Sequence, residues 1–164
     1  GKMNDFYTEQ LLKRRTPVSE MALVVVLAVI GIAALAMTPM TIFAPLVAIV
    51  FLAVAIFKAR NSNQEFEYLY MNGELDIDRI IAKSKRKQVF SGSLNQLELL
   101  VKANSHELDA YASAPLKEFS SGMHKDRECV AVYVKDGQSM RIVFEPNDRI
   151  LEAFRMQAPR KVRI

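Results

Sequence analysis

The densest group of side chains with a chemical use is a run of four cations within residues 83–87. Clustered cations can bind the phosphate of a lipid headgroup, and near an anionic membrane surface each contributes about 1 kcal/mol. A solvated turn at the tip of a hairpin carries the same pattern, so that interpretation stays open. The carboxyl terminus supplies a second basic stretch, for which plain surface charge is again the alternative. The candidate lipid contacts are therefore Lys83, Lys85, Arg86, Lys87, Arg160, Lys161 and Arg163.

Three carboxylates at alternate positions form the main acidic feature of the sequence. Glu74, Asp76 and Asp78 would project from one face of an extended strand. Paired carboxylates can transfer protons or hold a metal ion. An exposed strand face produces the same spacing, and its charges then pair with cations on a neighbouring strand, for which Lys85 and Lys87 are the expected partners. We favour the exposed face.

The residues that ordinarily carry catalysis are sparse. His106 stands at a predicted helix start beside acidic residues, and the single cysteine, Cys129, borders alternating valines, which favours a buried thiol. One cysteine also excludes an intrachain disulfide. The sequence contains no glycine-rich phosphate loop, nucleophile motif or metal-ligand spacing. We therefore expect neither an enzyme nor a cofactor or metal site.

One stretch of the chain has the composition of a membrane segment. Residues 21–57 carry no charged side chain, whereas the chain as a whole is 24% charged. A straight helix over that stretch would be about 55 Å long, and the hydrocarbon core of a bilayer is about 30 Å thick. The stretch must therefore break, and Pro39 and Pro45 mark the break. We predict two membrane helices, residues 17–37 and 42–59.

Flanking charge orients this predicted hairpin. The turn between the helices is uncharged, and the cations at its two ends are Lys13, Arg14, Arg15, Lys58 and Arg60. The positive-inside rule then places both termini of a multi-pass cell-membrane protein in the cytoplasm. A signal peptide cleaved near residues 34–36 would instead remove the first helix and reverse the orientation. The second apolar run, which follows at once, argues against cleavage.

These patterns divide the chain into three parts. We predict an N-terminal cytoplasmic or interfacial segment over residues 1–16, the helical hairpin over residues 17–59 and a cytoplasmic domain over residues 60–164. Residues 4–15 can form a short interfacial helix with apolar side chains toward lipid. A frayed tail is the alternative for that segment.

The polar domain contains two hairpin signals and one helix signal. Alternating segments flank Asn72-Gly73 and Asp136-Gly137, the dipeptides that a type I′ turn favours. Pro146-Asn147-Asp148 starts an amphipathic helix that Pro159 ends. We predict an α+β soluble domain beside the membrane α-helical hairpin. Its fold is a bent antiparallel sheet of about seven strands closed by the C-terminal helix.

Four short segments and the order of the elements carry a resemblance. The sequence is similar to an uncharacterised family of small two-helix membrane proteins from Clostridia-type bacteria. Its cytoplasmic part resembles the bacterial pleckstrin-homology-like domains. The likeness covers nearly the whole chain and implies a fold and a membrane location but no reaction. The segments that carry it are NGELDID (72–78), KRK (85–87), SHELD (105–109) and FEPN (144–147).

The sequence departs from the family pattern of lipid binding at one point. Eukaryotic-type phosphoinositide sites in this fold place basic residues in the first loop between strands. Here that loop is Asn72-Gly73, which carries no cation. The resemblance therefore implies no headgroup site in that loop.

Two functions from different classes fit these observations. The first is a non-enzymatic integral membrane protein that presents an interaction module at the inner face, where sheet edges or a basic surface bind a partner protein or a second copy. The alternative is an anionic-lipid or small-ligand binding domain that uses the basic surface. The net charge of +4 is too small and too mixed to indicate nucleic acid. The expected partners are the lipid bilayer and a protein partner or the chain itself.

Overall fold

The computed structural model describes residues 7–164 and divides into two compact units. The helical unit comprises Arg15–Gln64 and Ile81–Lys85. Of the described residues, the sheet unit comprises 7–14 together with Glu65–Ile80 and Arg86–Ile164. The first six residues, and with them the start of the interfacial helix predicted for residues 4–15, lie outside the described residues.

The helical unit contains two apolar helices that pack side by side. Helix α1 spans Val18–Ala36 and helix α2 spans Ala44–Ser62. Both are long and apolar enough to cross a membrane. Helix α1 lies within the predicted residues 17–37, whereas α2 begins two residues later and ends three residues later than the predicted 42–59.

Small residues allow the two helices to approach closely. Gly31 of α1 and Ala48 of α2 are both buried. A Cβ atom added at Gly31 would lie 2.7 Å from Cγ of Leu52, so a larger residue there would force the helices apart. The residue of α2 that Gly31 meets at close range is therefore Leu52. Large apolar side chains on the outer faces are exposed, among them Val25, Val29, Ile49 and Phe57.

The first sheet of the sheet unit has four strands in the order β1-β2-β3-β4. Strand β1 pairs antiparallel with β2 over its whole length, from Tyr7 opposite Met71 to Lys13 opposite Glu65. The predicted interfacial helix is therefore wrong for β1, whose burial alternates with the period of a strand rather than a helix. The strands are β1 (Tyr7–Lys13), β2 (Gln64–Met71), β3 (Glu74–Ile81) and β4 (Lys85–Gly92).

The second sheet has five strands in the order β6-β8-β7-β5-β9. Strand β7 pairs antiparallel with β5 and β8, whereas the β6–β8 and β5–β9 pairs are parallel. The described residues thus form two sheets with nine strands and differ from the predicted single antiparallel sheet of about seven. The strands are β5 (Leu97–Lys102), β6 (Leu116–Glu118), β7 (Cys129–Lys135), β8 (Gln138–Phe144) and β9 (Val162–Arg163).

Both predicted hairpin turns are confirmed by their backbone geometry. Asn72 and Gly73 join β2 to β3 with φ values of 49° and 93°. Asp136 and Gly137 join β7 to β8 with φ values of 53° and 78°. A two-residue type I′ turn requires positive φ at both positions, which Asn, Asp and Gly adopt most readily.

One apolar core lies between side chains from both sheets and from helix α3 (Asp148–Gln157). The helix begins as predicted, because Oδ1 of Asn147 accepts a hydrogen bond of 2.9 Å from the backbone N–H of Ile150. Phe154 of α3 is fully buried, and its ring centroid lies 4.6 Å from that of Tyr70 on β2. Helix α3 therefore contributes its apolar face to the core, as its spacing predicts.

We expect Phe154→Ala to lower the free energy of unfolding by about 3–5 kcal/mol, because it leaves a cavity in a closely packed core. Met156 is a matched control on the same helix, since its side chain is 62% exposed. Met156→Ala should change stability by less than about 0.5 kcal/mol. Chemical denaturation of the full chain in detergent micelles measures both. Equal losses for the two variants would contradict the placement of α3 in the core.

Candidate functional site

The seven predicted lipid contacts fall in different structural settings. Lys83 lies in the turn after β3, where both Ala82 and Lys83 have left-handed backbone conformations with φ of 53° and 58°. Lys85 begins β4, and Arg86 and Lys87 continue it. The prediction that all four cations lie in the turn is therefore wrong for the last three.

Arg86 is occupied by the acidic strand face. Its guanidinium donates to Oδ2 of Asp78 at 2.9 Å and also bonds the carboxylate of Glu67. Hydrogen bonds to Glu67 and Asp78 raise the pKa of Arg86 above its usual range, so its charge is held in place. The expected pairing of the acidic face with Lys85 and Lys87 is replaced by this pairing with Arg86.

The remaining carboxylates of that face bind a hydroxyl group. Oγ of Ser91 on β4 donates 2.6 Å to Oδ1 of Asp76 and lies 3.1 Å from Oε1 of Glu74. Glu74, Asp76 and Asp78 thus have polar partners on neighbouring strands. This agrees with the interpretation that we favoured, a strand face with cross-strand pairs. Such contacts stabilise a sheet and leave the carboxylates engaged.

The carboxyl-terminal cations are mostly used within the fold. Nζ of Lys161 donates 2.8 Å to the backbone oxygen of Leu94, and Arg163 forms an ion pair with Glu107. Arg160 is exposed. Because Lys161 and Arg163 bind protein groups, the tail acts first as a structural strand, β9, beside β5.

A cavity of about 450 Å³ lies at the carboxyl end of α2, wholly within the helical unit. We call it the helix-end cavity. The backbone N–H of Ala82 donates 2.8 Å to the backbone oxygen of Asn63, which holds the turn after β3 against the end of α2. The lining residues are Ala53, Ile56, Phe57, Arg60, Asn61, Ala82, Ser84 and Lys85.

The helix-end cavity changes character along α2. Ala53 and Phe57 line it with apolar surface, and Arg60 and Asn61 follow one turn later with a cation and an amide. Ser84 of the turn and Lys85 at the start of β4 also line it. Sequence reasoning used Arg60 only to orient the hairpin and did not select Asn61 or Ser84. The missed signal is the four-residue spacing of Ala53, Phe57 and Asn61, which places them on one face of a helix.

Nearly the whole chain matches one family model. The family model described as a bacterial PH-like domain (DUF6106) covers residues 4–164. The chain belongs to this bacterial PH-like domain family. Membership confirms the pleckstrin-homology-like resemblance, while a Clostridia-type origin and a two-helix membrane family stay predictions. No curated protein and no solved structure matches the chain.

The histidine and the cysteine considered above lie at opposite extremes of solvent exposure in this PH-like protein. His106 is exposed, and its Nδ1 lies 3.9 Å from Oδ2 of the equally exposed Asp109. Cys129 is fully buried, as predicted. The described residues contain no group of three or more His, Cys, Asp or Glu side chains placed to hold a metal ion.

We expect Cys129 to react slowly with thiol reagents in the folded protein. Burial raises the pKa of its thiol from 9.0 to about 11. Because the thiolate is the reactive form, its fraction near neutral pH is about a hundredfold below that of an unperturbed thiol, and reactivity should rise as the pH approaches 11. Labelling rates of native and denatured protein across pH measure this. Equal rates in the two states at neutral pH would contradict it.

Proposed function

We propose that this PH-like protein is a non-enzymatic integral membrane protein that presents its sheet unit as an interaction module at the inner face of the cell membrane. The observation that carries the proposal is the pairing of β1 with β2. Strand β1 precedes α1 in the chain and β2 follows α2. The segments before and after the two helices therefore belong to the same sheet.

This pairing restricts how the chain crosses a bilayer. Lys13, five residues before α1 begins at Val18, stands opposite Glu65, three residues after α2 ends at Ser62. Two paired strands lie on the same side of a membrane, since unsatisfied backbone groups are excluded from the hydrocarbon core. The chain between them must therefore cross an even number of times, and α1 and α2 satisfy that condition. Flanking cations favour the cytoplasm for both termini.

The same pairing argues against a cleaved signal peptide. Cleavage near residues 34–36 would remove β1 together with α1. Thr8 and Leu12 of β1 are buried or packed on the core. Gln10 donates 2.9 Å from Nε2 to the backbone oxygen of Glu145 and accepts 2.7 Å from the N–H of Asn147. A strand with these contacts belongs to the mature fold.

The exposed sheet edge at β4 supports the proposed interaction role. Edge strands offer unpaired backbone groups to an added strand. Of the edge strands in the described sheets, β6 and β9 have only three and two residues, whereas β1 has seven and β4 has eight. Arg86, Lys87 and Gln88 on β4 are exposed. This edge is long enough to receive a strand from a partner protein or from a second copy.

The membrane topology can be tested with single cysteines in a Cys129→Ala background. Met40, 82% exposed between the two helices, and Gln138, exposed in the sheet unit, are the positions to compare. An impermeant thiol reagent added to intact cells should label Met40→Cys and spare Gln138→Cys until the membrane is permeabilised. Labelling of Gln138→Cys from outside would overturn the orientation. Release of the protein by alkaline carbonate would overturn the membrane insertion.

The interaction role can be tested by site-specific photo-crosslinking in native membranes. A photoreactive residue at Lys87 should give a discrete adduct, and an adduct of twice the chain mass identifies a second copy. Met156 is the control, because it is also exposed but lies on α3. A diffuse and identical set of products from both positions would contradict a specific interface at β4.

A further inference from the structure

We propose that the helix-end cavity binds one phospholipid with an anionic headgroup, its phosphate held by Arg60 and Lys85 and its acyl chain lying along the apolar face of α2. This inference rests on the proposed membrane location. It differs from a general attraction of basic residues to the bilayer, because it assigns a bounded site to a named pair of cations.

The first argument is the order of side chains along α2. Ala53 and Arg60 are seven residues apart, a distance of about 10 Å along a helix axis. Over that length the cavity lining passes from Ala53 and Phe57 to Arg60 and Asn61. A phospholipid makes the same transition from acyl chain to phosphate at the membrane interface, where Arg side chains extend toward the headgroups.

The second argument is the fixed geometry of the turn that completes the cavity. The left-handed conformations of Ala82 and Lys83 reverse the chain, and the N–H of Ser84 donates 3.1 Å to the backbone oxygen of Ile81. Ser84 in this turn and Lys85 at the start of β4 therefore line the cavity beside a backbone that is already hydrogen-bonded. A preorganised site loses less entropy when it binds a ligand.

The third argument is charge, since the lining of the helix-end cavity has two cations and no carboxylate. Two other cavities in the described part of the chain show the contrast. The cavity that contains Lys102 and Lys125 also contains Asp126 and Glu128. The cavity on another side of α2 places Glu20 with Lys58. Only the helix-end cavity, among these three, combines large apolar side chains with net positive charge, which matches an anionic lipid.

The test compares two double variants of the full chain that remove the same amount of charge. Arg60→Gln with Lys85→Gln neutralises the site. Lys58→Gln with Lys87→Gln is the matched control, because it removes one cation from α2 and one from β4 at positions that do not line the helix-end cavity. Each protein is reconstituted in nanodiscs of phosphatidylcholine with phosphatidylglycerol, and native mass spectrometry measures the phosphatidylglycerol that stays bound.

We expect the site variant to lose bound phosphatidylglycerol by about fivefold for each cation removed, and the control to lose far less. A third variant, Ala53→Leu, fills the apolar part of the cavity without changing charge and should also reduce binding. Arg60→Lys with Lys85→Arg keeps the charge and should restore it. Equal losses in the site variant and its control would overturn the proposal, and so would an unchanged level in Ala53→Leu.

Two further readouts separate the possible failures. Inorganic phosphate added in excess should not displace the bound lipid, and full displacement would mean that the site takes a soluble phosphate instead. Carbonate extraction of every variant reports membrane insertion independently. Insertion with no preference for phosphatidylglycerol over phosphatidylcholine would refute the lipid site and leave the proposed function standing. Loss of insertion in the wild-type chain would refute the proposed function itself.

Discussion

The pairing of β1 with β2 is the constraint on which the rest of this protein depends. The residues of β1 come before the apolar helices and those of β2 come after them, yet their backbones form one antiparallel ladder from Tyr7 to Lys13. The amide of Gln10 adds two hydrogen bonds to the chain just before α3. Because these two strands pair although the helices lie between them in the sequence, the helical pair is an insertion within the sheet unit rather than an extension at its end.

A network of buried polar groups joins the two sheets of that domain. The hydroxyl of Tyr68 on β2 donates to the backbone oxygen of Phe119 and accepts 3.2 Å from the N–H of Glu145. Burial raises the pKa of Tyr68 above its usual range, so the hydroxyl stays protonated as a donor. The carboxylate of Glu145 accepts 2.8 Å from the N–H of Ser121. Buried groups satisfied in this way specify one packing of the sheets, because any other packing leaves them without partners.

Basic residues that are neighbours in the sequence have different partners in the folded protein. Arg86 is held by Glu67 and Asp78, and Lys161 is held by a backbone oxygen. Lys85 instead lines a cavity with Arg60, which lies 25 positions earlier in the chain. Local density of positive charge therefore does not locate this cavity. The cavity forms where the end of α2 contacts the turn after β3. The hydrogen bond from the N–H of Ala82 to the backbone oxygen of Asn63 holds these two segments together.

The sequence by itself determined the local elements of this protein. The long uncharged segment and its prolines predicted both helices, and Asn72-Gly73 and Asp136-Gly137 predicted both hairpins. These signals are local, because they depend on the backbone geometry and solvation of a few neighbouring residues. Only the tertiary structure decided that Tyr7–Lys13 is a strand, that there are two sheets, that the edge pairs of the second sheet are parallel, and that Arg60 and Lys85 line one cavity. These features arise from pairing between residues far apart in the chain, for which local spacing carries no signal.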